Sequence, residues 1–170
     1  DALVGIDGEM RALGLRPDGE AWSIAIEAPD PDRRAPHSIL ALHDAAVATS
    51  GDYRHWVNLQ GRRLSHTMDP ANGAPLRSSP ASVTVVARSC AEADAWATAL
   101  MVLGPERGRA LAEQTGLDAL MLMRDATGQL STTVFGPLFH AEADTIAASK
   151  PATWAAPAKV RPSTGSKRPA

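Results

Sequence analysis

The strongest strand and helix signals lie in one segment, residues 82–116, whose sequence is SVTVVARSCAEADAWATALMVLGPERGRALAEQTG. Its first six residues are rich in β-branched side chains, which predicts a strand over 82–87. Ser89 is a favoured helix N-cap residue, and Glu92 three positions later completes a capping box. The segment therefore predicts a strand followed directly by the start of a helix.

Two helices are predicted after this N-cap. The first covers residues 90–103 and ends at Gly104, and Pro105 then opens a second helix that ends before Gly116. Shorter strand-like runs lie on either side of this helical pair, at residues 22–26, 38–43, 46–49 and 82–87, with hairpins over 55–64 and 117–135. Strands, then a helical pair, then a hairpin favour an α+β fold with mixed or antiparallel strands over a regular βαβ series.

Composition excludes several classes of function. A net charge of −2 gives no sign of a general nucleic-acid or membrane-surface binder. No apolar run approaches the roughly 20 residues that a membrane-spanning helix needs. Cys90 is the only cysteine, so an intrachain disulfide is impossible, and the histidines have no zinc-ligand spacing.

The chain divides into two regions of different composition. Residues 1–149 carry the folded pattern. Residues 150–170 are rich in Pro, Ala, Ser and basic residues and contain no acidic residue, which predicts a disordered tail. A solvated tail is favoured over one that contacts an anionic surface. Because the first residue is Asp1 rather than Met, we expect a fragment or a processed product, with any export signal upstream.

Asp94 and Thr98 lie four positions apart on the first predicted helix, so they share one face. A carboxylate and a hydroxyl are hard oxygen ligands, which Mg²⁺ prefers together with water and substrate phosphates. The alanines at 91, 93, 95, 97 and 99 are small and would let a bulky ligand approach. On spacing alone, a solvated Asp94 beside an ordinary helical Thr98 is the favoured alternative.

Two further motifs offer polar groups to a ligand. His66 can titrate near neutral pH, and the turn residues of the following Asp-Pro-Ala-Asn-Gly run would hold it on a rigid loop. Ser50-Gly51 follows a strand-like run and can present backbone N–H groups. A surface hairpin and a plain turn, respectively, are the favoured alternatives when each motif is taken alone.

The order of these motifs resembles the ApbE family of FAD:protein FMN transferases. The matching runs are VATSGDYR at 47–54, SHTMDP at 65–70, SVTVVA at 82–87 and ADAWATAL at 93–100. The resemblance covers roughly residues 1–139 and corresponds to the family's C-terminal portion.

The resemblance implies a Mg²⁺-dependent enzyme that transfers the FMN half of FAD to a Thr hydroxyl of a target flavoprotein, with release of AMP. It places Asp94 and Thr98 at metal-binding positions and His66 near the flavin and the reacting phosphate. The cofactor-binding residues that it implies are Ser50, Gly51, His66, Thr67 and Met68. Of these, Thr67 and Met68 match a loop whose backbone borders the flavin. The family is often extracytoplasmic and membrane-anchored.

Two departures from the family pattern affect these expectations. Asp7 stands where the family usually has the first Gly of a Gly-Gly pair, which we expect to crowd a backbone approach. The family's N-terminal half is also missing. Two alternatives therefore stay open: a non-catalytic flavin- or partner-binding fragment, and a Mg²⁺-dependent hydrolase that splits FAD into FMN and AMP.

Overall fold

The computed structural model describes residues 1–76, 80–140 and 152–153. The strands are β1 (Ala2–Ile6), β2 (Glu9–Leu13), β3 (Trp22–Glu27), β4 (Pro36–His43), β5 (Ala46–Gly51), β6 (Trp56–Leu59), β7 (Arg62–Ser65), β8 (Met68–Asp69), β9 (Ala74–Pro75), β10 (Ser82–Ala87), β11 (Asp118–Arg124), β12 (Leu130–Phe135) and β13 (Ala152–Thr153). The helices are α1 (Cys90–Thr115) and α2 (Pro137–His140).

Six strands form the main sheet, in the order β1-β2-β5-β10-β11-β12, and neighbouring strands run antiparallel. A smaller sheet, β13-β4-β3, combines one parallel and one antiparallel pairing. The predicted α+β fold with mixed or antiparallel strands is confirmed. The hairpins predicted near 55–64 and 117–135 are present as β6–β7 and β11–β12.

The core consists of two apolar layers, one on each face of the main sheet. Strand β10 is buried along its whole length because it contributes to both layers. Val83 and Val85 pack with Leu100 and Met101 of α1, while Val86 packs on the other face with side chains of β3 and β4. The β-branched sequence of β10 follows from this position, since both of its faces are covered.

Helix α1 has the predicted start and the predicted interruption. The Ser89 side chain accepts a hydrogen bond from the Glu92 backbone N–H, as expected of an N-cap. Gly104 has φ 71° and ψ −178°, so the helix is broken there and resumes with Pro105. The C-cap, Gly116, has φ 66°, a left-handed conformation that glycine adopts without steric cost.

One expectation about α1 was wrong. Ala93 and Ala97 do not leave space for a ligand, because both are fully buried against the sheet. Ala93 packs with Ala48 of β5 and Ala87 of β10. These small side chains bring α1 close to β5, which places the next residues along the helix, Asp94 and Thr98, at the rim of the packed face.

The predicted domain boundary at 149/150 falls among residues that lie outside the described ranges, as does most of the predicted tail. Within the tail, residues 152–153 are described, and they pair in parallel with Leu42 and His43 of β4. Disorder of the remaining tail stays a prediction. None of the helices in the described ranges has the length and apolar character needed to cross a lipid bilayer.

Candidate functional site

The end of β5 brings two of the predicted motifs together. Successive side chains of a strand point to opposite faces, so Ser50 faces α1 on the same side as Ala48, and Thr49 faces the other side. The Ser50 Oγ lies 3.0 Å from the Thr98 Oγ1, within hydrogen-bond distance. The Ser-Gly motif and the helical Asp94/Thr98 pair therefore belong to one corner of the fold.

Asp94 lies at the solvent-exposed edge of this corner. It lines a small open pocket of about 270 Å³ between α1 and the first hairpin, together with Val4, Ile6, Glu9, Arg11, Cys90 and Ala91. Its carboxylate and the Thr98 hydroxyl are both exposed, so their oxygens are accessible to a hydrated cation. These hard oxygen donors fit Mg²⁺, which accepts few protein ligands.

The described residues would supply few ligands to such a metal ion. Among the described residues, no group of three or more His, Cys, Asp or Glu side chains is placed to hold a metal ion. A cation at Asp94 and Thr98 would therefore need further ligands from water and from phosphate oxygens of a substrate. This donor set is typical of magnesium sites that assemble around a bound nucleotide.

His66 has a defined orientation in its exposed loop. Its Nδ1 lies 2.8 Å from the His55 carbonyl oxygen. A carbonyl oxygen only accepts hydrogen bonds, so Nδ1 carries the proton and Nε2 is the proton acceptor when the ring is neutral. The two imidazole rings meet edge to face, with centroids 6.0 Å apart. When the His66 ring is neutral, Nε2 is therefore its basic nitrogen.

The loop after His66 is fixed by its own hydrogen bonds. The Thr67 backbone N–H donates to the Ser65 Oγ at 3.1 Å, and its carbonyl accepts from the Leu76 N–H at 3.0 Å. Asp69 Oδ1 accepts from the Ala71 N–H at 2.8 Å, as expected of a turn-forming aspartate. Met68 keeps 48% of its side chain exposed and offers an apolar surface beside the histidine.

A larger open cleft of about 750 Å³ lies beside the end of β5, where Thr49 and Gly51 line it. It is lined by Asp7, Gly8, Met10, Ala25, Glu27, Arg34, Ala35, Pro36, Thr49, Gly51, Tyr53, Arg54 and His55. Asp7 has φ 51° and forms the β1–β2 turn with Gly8. Asp7, which we expected to crowd a backbone approach, thus lies in a two-residue turn that favours Asp-Gly.

Gly51 has a steric reason to be glycine. A Cβ at this position would lie 2.6 Å from the Tyr53 Cε1 and 3.2 Å from the Ala81 carbonyl oxygen. The Tyr53 ring is buried over this glycine and directs the chain from β5 towards His55. Gly51 therefore sets the conformation of the segment between the two predicted motifs.

The order of these motifs along the chain matches a known protein family. Residues 1–121 fit the family model described as "ApbE family". The chain belongs to the ApbE family.

Two relatives in the ApbE family have the same protein name. A protein of Vibrio cholerae named "FAD:protein FMN transferase" is 46% identical over 126 residues, which are 74% of this chain and 38% of that relative. The protein of the same name in Escherichia coli strain K12 is 36% identical over 137 residues, 81% of this chain and 38% of the relative. The chain thus spans about 38% of the length of these curated relatives.

Solved ApbE structures have the same fold over the matched region. The apo form of the Pseudomonas stutzeri flavinyl transferase ApbE superimposes with a TM-score of 0.67 and 47% sequence identity. The match covers 82% of this chain and 42% of that structure. The predicted resemblance to ApbE is therefore confirmed at the level of sequence and of fold.

Within the ApbE fold, the structure brings together some predicted site residues and not others. Ser50 contacts Thr98, and Asp94 lies one helical turn from Thr98. His66 is joined instead to His55 beside the large cleft. No hydrogen bond between described residues links His66 to Asp94. The predicted residues form two clusters, and the segment from Ser50 to His55 connects them.

The Glu27 carboxylate, which no sequence motif marks, lies at the end of β3 in the large cleft. It accepts hydrogen bonds from the Tyr53 Oη and the Arg54 Nε, each at 3.1 Å. Hydrogen bonding from Arg54 lowers the pKa of Glu27 below its ordinary value, although partial burial opposes this shift. Burial of the Tyr53 phenol raises its pKa, and the neighbouring Glu27 charge acts in the same direction.

Proposed function

We propose that the protein transfers the FMN half of FAD to a Thr hydroxyl of a target flavoprotein, in a Mg²⁺-dependent reaction that releases AMP. The observation that carries this proposal is the Ser50–Thr98 contact, which sets the Ser-Gly motif against the Asp94/Thr98 pair. The relatives named FAD:protein FMN transferase support its coarser part, the transfer of FMN from FAD to a protein.

Asp94 and Thr98 would hold the magnesium ion. When bound, Mg²⁺ supplies charge neutralisation on the pyrophosphate oxygens and polarises the phosphorus that is attacked. The Ser50 hydroxyl, 3.0 Å from the Thr98 hydroxyl, orients that ligand oxygen. Because both Asp94 and Thr98 are exposed, a substrate diphosphate can reach them without rearrangement of the core.

His66 is the proposed general base. Its Nε2 accepts the proton of the acceptor Thr hydroxyl while its Nδ1–H donates to the His55 carbonyl. The Thr oxygen forms a bond to the phosphorus of the FMN half, the bond between that phosphorus and the bridging pyrophosphate oxygen breaks, and AMP leaves. The proton ends on His66, which returns it to solvent.

Four residues besides His66 are proposed on the flavin side of the site. Ser50 and Gly51 lie at the end of β5, and Thr67 and Met68 follow the histidine in the loop. The exposed Met68 side chain offers an adaptable apolar contact to a ring system. The family resemblance alone supports one more proposal, an extracytoplasmic and membrane-anchored location.

The products of FAD turnover test the proposal. The 170-residue chain and a version extended at its N-terminus are each incubated with FAD, Mg²⁺ and a flavoprotein acceptor. Mass spectrometry is expected to find an FMN-sized adduct on an acceptor Thr, with AMP in solution. AMP without an adduct would identify a hydrolase. Flavin binding without either product would identify a binding fragment. If the extended version formed neither the adduct nor AMP, that result would contradict the enzymatic proposal.

A further inference from the structure

The Glu27 carboxylate, at the end of β3, is held by two residues of the segment between β5 and β6. It accepts hydrogen bonds from the Tyr53 Oη at 3.1 Å, from the Arg54 Nε at 3.1 Å and from the Arg54 Nη2. The two bonds from Arg54 are bidentate, since Nε donates to Oε2 and Nη2 donates to Oε1 of Glu27. This is the geometry in which Arg binds carboxylates most specifically. Only 28% of the Glu27 side chain is exposed.

These partners lie next to the residue that holds His66. Tyr53 and Arg54 immediately precede His55, whose carbonyl oxygen is 2.8 Å from the His66 Nδ1. A series of direct contacts therefore runs from the end of β3, through the segment 53–55, to the imidazole. These contacts connect β3 of the smaller sheet to the exposed His66 ring.

The segment 53–55 needs such an anchor. Arg54 and His55 are exposed and belong to neither β5 nor β6. The Tyr53 ring packs over Gly51 at one end of the segment, and its hydroxyl reaches Glu27. Without the carboxylate, the phenol and the guanidinium lose a shared acceptor, and the His55 carbonyl is free to turn.

We propose that Glu27 is a positioning residue for His66, acting through Tyr53 and Arg54 to aim the His55 carbonyl at the imidazole Nδ1. This proposal rests on the proposed function, in which His66 Nε2 is the base. Glu27 selects the tautomer with the proton on Nδ1 and fixes the direction of Nε2. A misplacement of about 1 Å in a reacting group can lower a rate by about 100-fold.

The first test reads the tautomer directly and needs no turnover. Two-bond ¹H–¹⁵N correlation spectra of the ¹⁵N-labelled chain, recorded where His66 is neutral, report which ring nitrogen carries the proton. The unchanged chain is expected to show Nδ1–H. Glu27→Ala is expected to move His66 towards Nε2–H, and Glu27→Gln, which keeps one acceptor oxygen, to lie between them. Glu113→Gln, on an exposed helical ion pair, is the matched control.

Retention of the Nδ1–H tautomer in Glu27→Ala would overturn the proposal. If the alanine variant fails to fold, as judged by its amide spectrum, the comparison between the unchanged chain and Glu27→Gln decides the question. An unaltered tautomer in a folded glutamine variant then counts against the proposal in the same way.

The second test is a double-mutant comparison of FMN transfer. Glu27→Ala is expected to lower kcat roughly tenfold and to change KM for FAD less than about twofold, since it misplaces the base rather than the substrate. Added to His66→Ala, it is expected to cause no further loss. If the rate losses of the two single variants multiply in the double variant, Glu27 acts independently of His66. If no form of the protein transfers FMN, the proposed function fails, and the tautomer measurement alone decides the part played by Glu27.

Discussion

The Ser50 Oγ and the Thr98 Oγ1 lie 3.0 Å apart, although 48 positions of sequence separate the two residues. The contact joins the end of β5 to the third turn of α1. It gives Thr98 a fixed hydroxyl orientation one helical turn from the Asp94 carboxylate. The geometry of the proposed magnesium ligands therefore depends on a residue outside the helix.

Loss of the Thr98 hydroxyl should weaken metal use selectively. Thr98→Val keeps the shape of the side chain but removes the ligand oxygen and the Ser50 partner. We expect the Mg²⁺ concentration that gives half-maximal transfer to rise roughly 10- to 100-fold. Thr98→Ser, which keeps the hydroxyl, serves as the control and should stay near the unchanged protein. An unaltered Mg²⁺ dependence in Thr98→Val would remove this residue from the metal site.

His66→Ala should separate proton transfer from flavin binding. We expect the transfer rate to fall by about 10²- to 10⁴-fold, the usual contribution of a general base. FAD affinity, measured by flavin fluorescence, should fall much less than the rate, because Ser50, Gly51, Thr67 and Met68 remain on the proposed flavin side of the site. A variant with a near wild-type rate would mean that another group removes the proton from the acceptor.

Gly51→Ala should destabilise the fold through Tyr53. The new Cβ would lie 2.6 Å from the Tyr53 Cε1, so the ring or the strand end must move. We expect a loss of about 1–3 kcal/mol in the free energy of unfolding, measured by urea denaturation. Gly5→Ala is the matched control, since its Cβ would meet the Met10 Cγ at an ordinary 3.5 Å. Equal effects of the two substitutions would argue against a special role of Gly51.

The stability that Glu27 contributes should depend on pH. Its pKa is lowered in the folded protein by the hydrogen bond from Arg54, so the folded state favours the carboxylate. That contribution is complete above the ordinary glutamate pKa of 4.5 and is lost as the pH falls through the lower folded value. The difference in unfolding free energy between the unchanged protein and Glu27→Gln should therefore be constant from pH 7 to 5 and should narrow below 4.5. A difference that widens on acidification would contradict this assignment.

The local patterns of the sequence predicted most of the fold. The β-branched run at 82–87, the Ser89 N-cap and the interruption at Gly104 each depend on neighbours within a few residues, and each is present in the structure. The alanines of α1 were misinterpreted because a small residue in a helix serves equally for ligand access and for close packing. Only the position of the sheet shows that Ala93 and Ala97 are buried.

The site was less accessible to sequence reasoning. Spacing alone favoured a solvated Asp94, since the contact between Ser50 and Thr98 arises from topology rather than from local sequence. Glu27 has no recognisable motif, and its partners lie 26 and 27 positions away. The Asp7-Gly8 pair does carry a local turn signal, which the comparison with the family's Gly-Gly pair obscured.

The role of Asp94 as a magnesium ligand is tested by the rate of FMN transfer as a function of Mg²⁺ concentration, compared between the unchanged protein and Asp94→Asn. The version extended at its N-terminus is used, with Glu113→Gln on the same helix as the control. We expect a Mg²⁺-dependent rate that falls by about 100-fold or more in Asp94→Asn, because the substitution removes the only charged ligand of the pair. An Asp94→Asn variant with the same rate and the same Mg²⁺ dependence as the unchanged protein would contradict that role.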